Sequence, residues 1–154
     1  MQSERRLPAL LNTPRVEAML REARVGRLAT AGAEGQPHVI PVCFVFDGRS
    51  IYSPIDEKPK RSSPRGLRRI RNIEANPRVA LVVDHYSEDW RQLRYVLVMG
   101  SAELLEAGTE HARAIALLRE KYPQYRPMRL EERPVIKITP GRVVAWEAGR
   151  ARLS

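Results

Sequence analysis

Apolar positions recur at two spacings along this chain, and the changes of spacing mark its elements. Val16, Met19, Leu20 and Ala23 fall three and four apart, which lays one apolar stripe along a helix. Thr13 stands where it can cap that helix, and Pro14 suits its first turn. Strand patterns follow over residues 24–31 and, after a polar turn, over residues 37–46, which are rich in Val, Ile and Phe. Asp47-Gly48 predicts a type I′ hairpin into a third strand over residues 50–55, because glycine readily takes positive φ. Leu67, Ile70 and Ile73 line a helix expected from about residue 65 to residue 75, which Asn76-Pro77 ends. Residues 79–83 are an unbroken apolar run, the mark of a strand buried on both faces. A polar loop over residues 84–93 leads to a fifth strand over residues 95–105. Thr109 heads a helix whose Ala112, Ile115, Ala116 and Leu118 face inward, and Pro123 stops it. Residues 135–138 and 143–146 read as one last strand bent at Pro140-Gly141.

The order is helix, three strands, helix, two strands, helix, strand. This predicts a mainly β protein in which short turns make the first three strands antiparallel. Strands do not alternate with long helices, so a doubly wound sheet is excluded. With 154 residues the chain suits one core. We place a single domain over residues 13–149, with residues 1–12 as a flexible arm and residues 150–154 as a tail.

Charge changes this picture. Twenty-seven Lys and Arg against eighteen Asp and Glu leave +9, which favours anionic partners. Most of the excess lies between residues 58 and 78. There Lys58, Lys60, Arg61, Arg65, Arg68, Arg69, Arg71 and Arg78 face Glu74 alone. Cations at a helix N-terminus oppose its dipole, and a bound phosphate offsets that cost. The bland alternative is a solvated basic face, which taken alone is about as common. No run approaches the roughly 18 apolar residues of a membrane span, and a cytoplasmic protein is the expectation. The single cysteine, Cys43, excludes an internal disulfide, and His38, His85 and His111 are too scattered for a metal site. The sequence has no G-x-G-x-x-G, P-loop, H-E-x-x-H or G-x-S-x-G signature, so catalysis here would rest on a cofactor.

Three segments carry a family resemblance: VGRLATAGAEGQPHVIPVCFVFDGRSIYSPID, RRIRNIEANPRVALVVDHY and RYVLVMGSAELLE with its Gly-x-Ala. Over residues 13–147 the chain resembles the pyridoxamine 5'-phosphate oxidase-like split barrels. The details KPKR, RNI, DHYSEDW and KYPQY look most like the subgroup that uses the deazaflavin coenzyme F420. The resemblance implies a six-stranded antiparallel split β-barrel flanked by three helices. It also implies a homodimer whose interface groove holds the cofactor, with FMN as the alternative to coenzyme F420. By that likeness Arg68 and Arg69 hold the cofactor phosphate, and Lys58, Lys60 and Arg61 grip a phosphate or acidic tail. Asn72 reaches the same region. His38, Pro41, Tyr52, Ser53 and Pro54 flank the ring, and Trp90 stacks on it across the dimer. The Arg and Lys that pyridoxamine phosphate oxidases use on strands two and three lack clear counterparts, so the likeness does not extend to that reaction.

Each of these residues also has a plainer role. His38 reads equally as a hydrogen-bonded strand histidine, Trp90 as an aromatic sealing an interface, and Trp146 as core or interface. Cys43 is expected to be buried and inert. The leading expectation is an oxidoreductase acting on a small organic substrate. A non-catalytic flavin or deazaflavin carrier is the rival from another class. Nucleic-acid binding is the least favoured, since the aromatic interleaving of single-strand binders is missing.

Overall fold

In a computed structural model the structure describes residues 7–56 and 66–154. Helix α1 (Pro14–Glu22) leads into strands β1 (Gly26–Ala31), β2 (Pro37–Val42), β3 (Val45–Phe46) and β4 (Ile51–Pro54). Helix α2 (Arg68–Ala75), β5 (Arg78–His85), β6 (Arg94–Leu105), α3 (Thr109–Lys121) and β7 (Val135–Glu147) complete the chain. The strands form one antiparallel sheet in the order β2-β1-β5-β6-β7-β4-β3. β2 and β3 lie on opposite edges although only Cys43 and Phe44 separate them in sequence. Two residues span little distance, so the sheet must curl until its edges approach. This is the split barrel. Seven strands are found where six were expected, because the kink at Cys43-Phe44 divides the second expected strand.

The kink is held from α3. Phe44 is wholly buried in the main core, beside Leu28, Leu81 and Ile136. Its amide donates to Tyr122 Oη (3.2 Å), and Tyr122 Oη donates to the Arg24 carbonyl (2.8 Å). Lys121 Nζ donates to the carbonyls of Phe44 (2.9 Å) and Ala23 (2.7 Å). Burial, and then the neighbouring Arg24 charge, lower the Lys121 ammonium from 10.5 to about 8. The unfolded chain therefore binds that proton more tightly, and stability should rise with pH from about 8 towards 10. Tyr52 and Tyr122, both raised by burial, act in the opposite sense only above their ordinary 10.0. Denaturant unfolding across this window should show the rise, and Lys121→Gln should flatten it.

Several local expectations change. Residues 7–12 are not a loose arm: Ala9–Asn12 forms a 3-10 turn and Leu11 is wholly buried. The tail is paired too, with Leu153 bridged to Ala145. Thr13 Oγ1 donates back to the Leu10 carbonyl (2.8 Å) instead of capping α1. Gly108, at φ 98°, precedes α3, so Thr109 is its first residue. In the β3–β4 loop only Gly48 has positive φ, which excludes the type I′ turn. Asp47 Oδ1 instead accepts from the amides of Arg49 (2.9 Å) and Ser50 (2.8 Å). Helix α2 starts at Arg68, later than expected. Lys58, Lys60, Arg61 and Arg65 lie outside the described residues.

Candidate functional site

A cavity of about 200 Å³ opens beside the barrel-closing kink. Its lining draws on Pro41 and Cys43 from the kinked strand, Ser53 and Pro54 from β4, and Arg69 from α2. Asp56 and Tyr125 close it from the loops. The periodicity of α2 decides which basic residue enters. Arg69, Ile70, Asn72 and Ile73 form the buried face of the helix, so Arg68 points to solvent. The basic pair expected to act together is therefore split: Arg69 lines the cavity at 6% exposure, and Arg68 does not.

Arg69 is the second residue of α2. The first turn of that helix contains no acidic residue, and Leu67 provides no side-chain cap. Backbone N–H groups at such an end have no intrahelical acceptor, and with a guanidinium alongside they suit an anionic oxygen. Across the cavity Ser53 Oγ donates to the Cys43 carbonyl (2.8 Å). Tyr125 Oη donates to Asp56 Oδ2 (2.9 Å), and burial first, then contacts with Cys43 and Asp56, push its phenol up. That bond occupies one oxygen of the Asp56 carboxylate. The guanidinium of Arg69 and the N–H groups at the helix end are the donors this cavity offers to a phosphate-bearing ligand.

Pro41, Ser53, Pro54 and Arg69 line this one cavity. Asn72 is not in the cavity wall. It is 5% exposed, and its Nδ2 donates to Thr30 Oγ1 (3.0 Å), tying α2 to β1. A Cβ on Gly32 would lie 2.9 Å from Asn72 Oδ1, so that glycine permits the close approach. His38 pairs with Thr30 across β1 and β2, and its buried Nδ1 has no hydrogen-bond partner. It too lies off the cavity wall.

Tyr52 faces away, into the second core cluster under α3. Its hydroxyl donates to Glu110 Oε1 (2.7 Å) and accepts from Arg113 Nη2 (3.1 Å). Burial first, then the bond to Glu110, raises its phenol to about 12. Lys137 and then Tyr52 hold the Glu110 carboxyl below its ordinary range. Tyr52 is spent on anchoring α3, and this role replaces the expected ring contact. Trp90, in a 3-10 turn between β5 and β6, is 68% exposed and touches no part of this cavity within the chain.

Cys43, Asp56 and Tyr125 were not foreseen as cavity residues. Cys43 is half-buried, contrary to the expected inert core thiol. The KYPQY segment held the one signal for Tyr125, through likeness alone. Among the described residues no group of three or more His, Cys, Asp or Glu could hold a metal ion. No helix among them is long and apolar enough to cross a membrane.

Comparison with known proteins agrees with the split-barrel fold. A 5a,11a-dehydrotetracycline/5a,11a-dehydrooxytetracycline reductase of Streptomyces rimosus is 36% identical over 128 residues, covering 82% of this chain and 77% of that protein. The solved structure of a FAD-binding protein from Mesorhizobium loti superposes with a TM-score of 0.66 at 28% identity, covering 93% of this chain and 96% of that one. That of an F420 reductase superposes with a TM-score of 0.61 at 25% identity, covering 82% and 94%. The sequence profile of pyridoxamine 5'-phosphate oxidase matches residues 13–147, and with the split barrel this means that the chain belongs to the pyridoxamine 5'-phosphate oxidase family.

Proposed function

We propose that this protein is a homodimeric oxidoreductase that binds coenzyme F420 and reduces a small organic substrate. The observation that carries the reading is the buried Arg69 at the head of α2, in one cavity with Pro41, Ser53 and Pro54. The likeness to a reductase and to an F420 reductase supports the redox class. The chemistry such a group supplies when bound is hydride transfer. The protein's part is to hold the phosphate through Arg69, to set the ring edge against Pro41 and Pro54, and to keep water out. By the family likeness Lys58, Lys60 and Arg61 grip a phosphate or the acidic tail of the cofactor.

Two observations support a second chain. About 200 Å³ is smaller than the roughly 300–1,000 Å³ of a ligand pocket, so one chain offers only part of a site. The outer sheet face is also apolar. Val79, Leu81, Val83, Val96, Val98 and Val143 face the core, so their neighbours in β5, β6 and β7 point outward. Those neighbours include Ala80, Val82, Leu97 and Met99. A sheet face left in water is ordinarily polar. Ala80→Glu should therefore turn the dimer into a monomer and weaken cofactor binding, both readable by light scattering and titration.

The deciding experiment is a fluorescence titration of the protein with coenzyme F420, run beside FMN. Saturable micromolar or tighter binding of the deazaflavin is expected. Tight FMN binding instead would move the protein to the flavin branch. Binding of neither would overturn the reading.

A further inference from the structure

Two charged side chains of opposite sign share the Arg69 cavity. Arg69 enters it from α2, and Asp56 closes it just after β4. Among the described lining residues these two carry the charge, and the others are apolar or bear a hydroxyl or thiol. A round space of about 200 Å³ measures about 7 Å across, less than the roughly 8 Å over which physiological salt screens a charge. A group bound there therefore feels both the guanidinium and the carboxylate.

Asp56 is held in place without losing its charge. Tyr125 Oη donates to its Oδ2 (2.9 Å), and its Oδ1 accepts no hydrogen bond among the described residues. Burial first, then contacts with Cys43 and Asp56, keep the phenol proton on Tyr125. A neutral phenol fixes a carboxylate by one hydrogen bond and leaves the negative charge standing. Tyr125 is itself anchored. Its amide donates to the Tyr122 carbonyl (3.0 Å), the two rings meet edge to face at 5.5 Å, and its carbonyl accepts from Arg119 Nε (3.3 Å).

Phosphate ligands differ in the charge they bring. A monoester carries roughly 1.5–2 negative charges at pH 7, because its second proton leaves near pH 6, and a diester carries a single one. With Arg69 and Asp56 in one space, the second charge of a monoester loses to the carboxylate much of what it gains from the guanidinium, and it must still shed its water. We propose that Asp56 is a specificity-determining residue: its carboxylate selects a singly charged phosphodiester over a doubly charged phosphate monoester at Arg69. Coenzyme F420 carries a diester and FMN a monoester, so the selection favours the deazaflavin. It rests on the Arg69 cavity being the phosphate site, as proposed above.

The test compares the parent with Asp56→Asn and Asp56→Glu at about pH 8, where a monoester is fully ionised. Two ligand pairs are used. Coenzyme F420 and FMN are read by fluorescence titration. Dimethyl phosphate and methyl phosphate, a diester and a monoester without a ring, are read by the NMR shift of the Arg69 side-chain N–H. The parent should favour the diester of each pair. Asp56→Asn should move each affinity ratio at least about 10-fold towards the monoester, the effect of one charge about 7 Å from a carboxylate at an effective dielectric of about 20–30. Asp56→Glu keeps the charge and should leave the ratios near those of the parent. Asparagine can still accept from Tyr125, and thermal unfolding checks that each variant is folded. Ratios unchanged by Asp56→Asn, with ligands bound, overturn the proposal and leave the cofactor reading standing. A shifted ratio for the small esters without binding of either cofactor upholds the selection and overturns the cofactor reading. No binding of any of the four ligands, with the esters taken to tens of millimolar, overturns both.

Discussion

Alanine at position 100 should cost the protein at least about 3–5 kcal/mol, a large share of the roughly 5–15 kcal/mol that a domain has. A Cβ there would lie 2.1 Å from the Thr139 carbonyl oxygen, 3.0 Å from its carbon and 3.1 Å from Pro140 Cα. All three atoms belong to the backbone of the facing strand. No rotamer change can relieve the contact. The β6–β7 register shifts between Met99 and Gly100, opposite Pro140, so the two backbones press together at the bulge. Relief would require parting the longest strand pair in the sheet. Gly141 is the internal control. A Cβ there meets Met99 O at 3.6 Å and Gly100 Cα at 3.9 Å, ordinary contacts, and Gly141→Ala should stay within about 1 kcal/mol. Urea unfolding of the two variants makes the comparison. Equal stability of Gly100→Ala and the parent would refute the account of the bulge.

The second large effect concerns the basic pair. Arg69→Met should weaken cofactor binding about 10- to 100-fold, the loss of one or two charge-assisted hydrogen bonds to phosphate. Methionine retains much of the buried volume, so the fold should survive. Arg68→Met should change affinity by less than about 3-fold, because an exposed charge is screened by water and salt. Arg69→Lys is expected between the two, since a lysine keeps the charge but loses the planar fork. The same titration reads all three. Equal losses at positions 68 and 69 would mean that the pair acts as a diffuse field, and the Arg69 cavity would lose its claim to the phosphate.

Most of the fold was legible because each element carries its own period. The stripe Val16, Met19, Leu20 and Ala23 became α1, and the run 79–83 sits within β5 with both faces packed or apolar. The bend at Pro140-Gly141 is the bulge side of β7. Gly100 appeared in sequence only as part of a family pattern. Its physical reason, a carbonyl oxygen on a strand some 40 residues later, is a long-range contact with no local signature.

The candidate site was half legible for a similar reason. Arg68 and Arg69 are indistinguishable in composition, and the phase of α2 separates them only once its buried face is known. Tyr52 and Ser53 are adjacent on a strand, so they point to opposite sides. Which side meets α3 and which meets the cavity follows from packing. Asp56 and Tyr125 come from loops 69 residues apart and meet only in the folded chain.

Local patterning therefore determined the element order, the antiparallel β class and the basic segment, because period, turn residues and charge act over a few neighbouring residues. Tertiary structure alone decided that one strand would split at Cys43-Phe44 and put its halves on opposite edges of the sheet. It alone turned Arg69 inward and Tyr52 away, and set Asp56 and Tyr125 in one cavity with Arg69. These outcomes depend on barrel closure, which brings residues far apart in sequence to within a few ångströms.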